Sequence, residues 1–204
     1  MDIKHYIFDF GDVFINLDKA ATKRALEKLG MTDFTPEMLA KNKDYEKGLI
    51  STEAFLEYYQ KYFPEASKEE LRSIWNKILL DFPEYRLEFI EAFSKTHDCY
   101  LLSNINEIHV DFIKEQLGAE FYNRFTSCFK KVYYTHEIHL RKPDKAIYEF
   151  VFQENGLQPE DCFFVDDKIE NIQTAADMGV TCWHIKPGED DIIYLEQYLS
   201  PLTQ

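Results

Sequence analysis

The chain has 204 residues, 45% of them hydrophobic and 16% aromatic, which suffices for one well-buried core and a small accessory unit. Its 37 acidic residues outnumber 23 basic ones, giving a formal charge of -14. That balance disfavours sequence-independent binding to nucleic acid or to an anionic membrane, and no apolar run is long enough to span a bilayer. A small anionic substrate stays compatible, because local cations or a metal can override the global field. The opening Met1-Asp2-Ile3-Lys4-His5 lacks the apolar core of a signal peptide. Cys99, Cys128, Cys162 and Cys182 are widely spaced, three of them inside apolar runs, so buried reduced thiols and a cytoplasmic location are expected.

In chain order, residues 3–9 form the first short apolar run, followed by a block without a convincing strand over 17–84. Within it Ala25, Leu26 and Leu29 lead to Gly30, Phe55, Tyr58, Tyr59 and Phe63 form a second stripe, and Leu71, Ile74, Trp75 and Ile78 a third. Three or four helices are expected there, the third stripe opening on a Ser67–Glu70 capping box and the block closing at Pro83. Further runs at 98–103, 127–133, 162–166 and 180–185 read as strands. They alternate with helical patterns that end on glycine: Ile108, Phe112 and Leu117 before Gly118, Ile147, Phe150 and Val151 before Gly156, and Ile169, Ile172 and Ala176 before Gly179. This rhythm predicts an α/β fold, a Rossmann-like doubly wound parallel sheet carrying an inserted helical bundle.

Several strand ends carry chemistry. Asp9 follows an apolar strand and precedes Gly11, which suits either a nucleophile facing backbone amides or a turn cap. Ser103 and Asn104 offer neutral donors to phosphate oxygens, or an N-cap for a helix starting near Ile105. Lys142, before Pro143 and Asp144, is held at the mouth of the helix 144–156, whereas Arg141 takes an ordinary solvated role. Asp166 and Asp167 are adjacent carboxylates that repel unless a cation binds them, magnesium being the hard ion such groups hold; Asn171 is placed to orient one of them. His136 and His139 lack a third zinc ligand nearby.

The order and spacing of Asp9–Val13, Ser103, Lys142 and Asp166-Asp167 resemble the four motifs of the haloacid-dehalogenase-like hydrolase superfamily, in its branch with a helical cap inserted after the first motif. The resemblance implies a core domain at 1–16 and 85–204 with a cap at 17–84. Tyr45–Ser51 looks like the cap sequence of sugar-phosphate phosphatases in that superfamily. It further implies that Asp9 is the nucleophile, that Asp9, the Gly11 carbonyl and Asp167 bind Mg2+ with Asp166 in support, and that Ser103, Asn104 and Lys142 bind phosphate. The cap would then choose the substrate, with Lys43, Tyr45 and Glu46 as candidate contacts.

One position departs from the pattern. Most phosphatases of the superfamily carry an acid/base aspartate where this chain has Gly11, and such assistance is typically worth about 10²- to 10⁴-fold. Asp12 is a candidate substitute, although neighbours in an extended segment point to opposite sides. Glucose-1-phosphate phosphatases and the related epoxide hydrolase N-terminal domains resemble the chain at this glycine. The expected activity is therefore a slow magnesium-dependent phosphatase acting, as a monomer or homodimer, on a small phosphorylated metabolite with a good leaving group, such as a sugar 1-phosphate. The alternatives are a non-catalytic module that binds a phosphorylated ligand and a 2-haloacid dehalogenase.

Overall fold

The computed structural model describes residues 3–201. The termini of the expected core domain, 1–2 and 202–204, lie outside the described residues. Five parallel strands form one sheet in the order β3-β2-β1-β4-β5, where β1 is His5–Phe8, β2 Asp98–Ser103, β3 Lys131–Tyr134, β4 Cys162–Asp166 and β5 Thr181–His184. The alternation of side chains along each strand supplies two cores. Tyr6, Phe8, Leu101, Phe163 and Val165 point to one face, covered by α5 (Glu84–Phe93), α6 (Glu107–Ser127) and α10 (Leu195–Leu199). Ile7, Tyr100, Leu102 and Phe164 point to the other, covered by α8 (Lys145–Asn155) and α9 (Ile169–Asp177). No described helix is long and apolar enough to cross a membrane.

Two elements differ from expectation. The third strand begins at Lys131 and not at 127, because the helix expected to end at Gly118 resumes after a break there (φ 77°, ψ 155°) and runs to Ser127, with Cys128 as its cap; Phe125 of the resumed half is buried in the core, with Phe121 and Tyr122 packed against it. In α9 Ile172 and Ala175 face inward, while Ile169 is 55% exposed, so the buried stripe is offset from the one expected.

Between β1 and α5 lie α1 (Ala21–Lys28), α2 (Pro36–Glu46), α3 (Thr52–Gln60) and α4 (Lys68–Asn76). Thr35, Ser51 and Ser67 accept backbone N–H bonds at the starts of α2, α3 and α4, the usual role of hydroxyl N-caps. The four helices share a core in which Phe55 stacks on Tyr45 (4.0 Å between centroids) and meets Trp75 edge-on (4.8 Å); Ile108 of α6 reaches into it. The two tethers of this helical unit are stitched together by the antiparallel bridge Leu17–Leu79, with Asp18 N donating to Ile78 O and Leu80 N to Asn16 O.

Candidate active site

The carboxyl edge of the sheet gathers the site. Asp9 directly follows β1 and its N–H donates to Val165 O at 2.9 Å; Ser103 ends β2; Asp166 ends β4, with Asp167 next. Lys142 enters from the loop after α7 (Thr135–Ile138) and is fully buried. Its ammonium has three hydrogens and three acceptors: Asp9 Oδ1 at 2.9 Å, Asp166 Oδ2 at 2.6 Å and Leu102 O at 2.7 Å. Asn171 Nδ2 lies 2.9 Å from both Asp166 oxygens, and Lys168 N donates to Oδ1 at 2.8 Å. The Asp167 carbonyl accepts from His184 Nε2 at 3.0 Å.

Burial sets the electrostatics. Desolvation pushes the Asp9 carboxyl above the usual carboxylate range, against the pull of Lys142. Asp167 is raised by burial and by the nearby Asp9 charge. Burial alone would lower Lys142, but Asp166 and Asp9 outweigh it and hold the ammonium charged. One oxygen each of Asp9, Asp166 and Asp167 lie within 4.8 Å of one another. Three carboxylates against one buried ammonium leave two negative charges, and the donors are hard oxygens; the set fits a divalent ion such as magnesium.

Other expected residues take unexpected places. Asn104 pairs with the backbone of Lys142 at both ends, Nδ2 donating to Lys142 O and Oδ1 accepting from Lys142 N, each at 2.9 Å. The N-cap of α6 is Asn106, whose Oδ1 accepts from His109 N at 3.0 Å, so the helix starts two residues later than expected. The chain after Asp9 is a tight turn and not extended. Phe14 N donates to Phe10 O, and Asp12 sits in the left-handed region (φ 56°). There Asp12 Oδ1 accepts from Leu17 N at 2.9 Å and Oδ2 lies 2.8 Å from Lys19 Nζ, which commits this carboxylate. A Cβ at Gly11 would stand 2.8 Å from Leu17 Cδ1. Leu17 therefore occupies the space that a side chain at position 11 would need.

A cavity of about 180 Å³ opens here, lined among others by Gly11, Ser103, Asn104, Glu46, His109 and Lys168. Of the candidate contacts from the helical unit, only Glu46 lines it. Tyr45 is buried, its hydroxyl accepting from Ile108 N at 3.2 Å, and Lys43 is exposed on α2. Glu46 also meets Arg141 at 3.3 Å; Arg141 is half-buried with an unpartnered Nε, which corrects the solvated role expected of it. Sequence reasoning missed Lys19, which bridges Asp12 and Asp167 (2.8 and 2.5 Å), and His109, whose Nε2 donates to Trp75 O at 3.1 Å and which burial pushes down to about 4. A lone lysine or histidine in a polar segment carries no local signal of such long-range partners.

The parallel sheet thus places a buried aspartate beside an acidic pair at its carboxyl edge. Residues 3–179 match the family described as haloacid dehalogenase-like hydrolase, and the chain belongs to that family. Among curated proteins it is 24% identical to the D-ribitol-5-phosphate phosphatase of Bacteroides thetaiotaomicron, over 92% of this chain and 94% of that one. It also matches drimenol cyclase drtB of Aspergillus calidoustus, 25% identical over 87% of this chain but 33% of that protein. Among solved structures, a HAD family enzyme of Bacteroides thetaiotaomicron in complex with magnesium superposes with a TM-score of 0.81 at 28% identity, covering 93% of this chain and 96% of that one. The wild-type form of that enzyme with magnesium and inorganic phosphate gives 0.77 at 28% identity, covering 92% and 96%. A HAD-like family hydrolase from Porphyromonas gingivalis, 24% identical over the full length of both chains, gives 0.84 and shares the fold.

Proposed function

We propose that this chain is a magnesium-dependent phosphatase that hydrolyses a small phosphorylated sugar or sugar alcohol through an aspartyl-phosphate on Asp9. The observation that carries the reading is the placement of Asp9 at the end of β1, held 2.9 Å from Lys142 and within 4.8 Å of the Asp166-Asp167 pair. Asp9, Asp166, Asp167 and the carbonyl of Gly11 would hold the magnesium, which when bound supplies charge neutralisation for the phosphoryl group. An Asp9 carboxylate oxygen attacks phosphorus, the bond to the leaving oxygen breaks, and that oxygen takes a proton from solvent water. Water then attacks phosphorus, releasing phosphate and restoring the carboxylate. Lys142 fixes the rotamers of Asp9 and Asp166 at once, and its charge offsets the incoming phosphate together with the Ser103 hydroxyl. Asn104 fixes the Lys142 backbone. The buried Asp9 charge keeps the nucleophile poorly solvated, so an electrophilic phosphorus competes well for it.

The substrate class rests on the curated relative named as a D-ribitol-5-phosphate phosphatase and on the cavity, which mixes Glu46 and Ser103 with apolar walls at Leu17 and Leu79. Gly11 leaves the departing oxygen without the aspartate that neighbours of the superfamily place there, which favours a stable leaving group such as the anomeric oxygen of a sugar 1-phosphate. The test is phosphate release from an aryl phosphate, sugar 1-phosphates and pentitol and pentose 5-phosphates, with magnesium or chelator, in wild type and Asp9→Asn. Magnesium-dependent turnover that vanishes in Asp9→Asn is expected, with 1-phosphates ahead of 5-phosphates. Equal rates for alkyl and aryl phosphates would remove the leaving-group argument. No turnover above the variant would favour a module that only binds a phosphorylated ligand.

A further inference from the structure

Lys19 stands on the first tether of the helical unit, one residue past Asp18, whose N–H joins the two tethers by donating to Ile78 O. Its side chain is about half-exposed, yet its ammonium reaches 2.5 Å from Asp167 Oδ2, an oxygen almost wholly buried, and 2.8 Å from Asp12 Oδ2. Asp12 is itself fixed, by its left-handed backbone and by the Leu17 N–H on its other oxygen. A single cation thus spans one carboxylate of the acidic trio and one carboxylate outside it.

Resting on the magnesium-site reading above, we propose that Lys19 is a resident counter-cation of that site: it neutralises Asp167 when no divalent ion is bound and cedes that carboxylate to the ion while Asp12 keeps hold of the ammonium. Two cations held at contact distance by one carboxylate repel each other whichever of its oxygens they take, so the two compete for Asp167. Asp12 gives the displaced ammonium a second partner, which keeps the displacement inexpensive. Because Lys19 belongs to the tether, metal occupancy is felt where the helical unit joins the core.

The experiment titrates Mg2+ calorimetrically into metal-stripped wild type, Lys19→Gln and Asp167→Asn, with no substrate, and follows thermal unfolding of each in chelator and in saturating Mg2+. Lys19→Gln is expected to bind Mg2+ roughly three- to tenfold more tightly, the range between a surface and a partly buried ion pair. Its midpoint should fall below wild type in chelator, and the gap should close in Mg2+. Binding of equal or lower affinity in Lys19→Gln, or a midpoint deficit of the same size in both conditions, would overturn the counter-cation role while loss of binding in Asp167→Asn upheld the site. If wild type binds no Mg2+, or Asp167→Asn binds it unchanged, the site reading falls and the role of Lys19 with it.

Discussion

Lys142 Nζ and Asp166 Oδ2 lie 2.6 Å apart with neither side chain exposed at all. Such a pair gains little net stability over apolar packing, but breaking it from one side strands a buried charge. Here the stranding would be double, since Asp9 loses the same partner.

Lys142→Met is therefore expected to cost about 3–5 kcal/mol of folding stability and to abolish phosphatase turnover. Urea unfolding at neutral pH checks the first, and phosphate release checks the second. If the variant is as stable as wild type, the three carboxylates do not depend on this ammonium.

Asn104→Ala removes two hydrogen bonds to the Lys142 backbone, each worth roughly 0.5–1.5 kcal/mol. The ammonium should then wander from Asp9, so kcat falls more than KM rises. A change confined to KM would mean that Asn104 contacts substrate directly.

His109 governs part of the acid response. Its folded pKa of about 4 lies below the ordinary value of 6.5, because burial disfavours the imidazolium. Between those values the unfolded chain binds a proton that the folded ring refuses, so stability rises with pH across that window and is lost on acidification. At about 1.4 kcal/mol per pKa unit the ceiling is roughly 3 kcal/mol, and the ring's access to the cavity lowers it. In His109→Gln the slope of unfolding free energy between pH 4 and 6.5 should be shallower, measured by urea unfolding at stepped pH.

Gly48 is one of the tightest contacts of the helical unit with the core. It sits at φ 64°, and a Cβ there would come 2.0 Å from the His136 carbonyl oxygen. The flanking contacts, Thr135 Oγ1 to Glu46 O at 2.8 Å and His139 Nδ1 to Lys47 O at 2.9 Å, lie on the same seam. Gly48→Ala should faster expose residues 36–60 to hydrogen exchange while leaving the exchange of β1 and β4 unchanged.

Much of this architecture was written locally. Apolar runs ending on Asp9, Ser103 and Asp166 mark strand ends, and adjacent Asp166 and Asp167 signal a cation because like charges side by side demand one. What was not legible depends on contacts between distant residues. Nothing near Lys19 in sequence announces Asp167, nor does anything near Arg141 announce Glu46, since a charged residue on a polar segment reads as solvated whichever carboxylate it meets. Asn104 looked like a cap or a phosphate donor because both uses need the same amide; only the loop geometry assigns it to Lys142. The run 127–133 merged a helix end with a strand because aromatic residues serve both.

Leu17 and Gly11 carry an evolutionary consequence. An aspartate cannot be gained at position 11 by a single replacement without pushing against a leucine whose own residue bridges the two tethers. The two positions are thus epistatic. A smaller residue at 17 would ease the entry of a proton donor at 11 and give up side-chain packing beside the bridge that joins the two tethers.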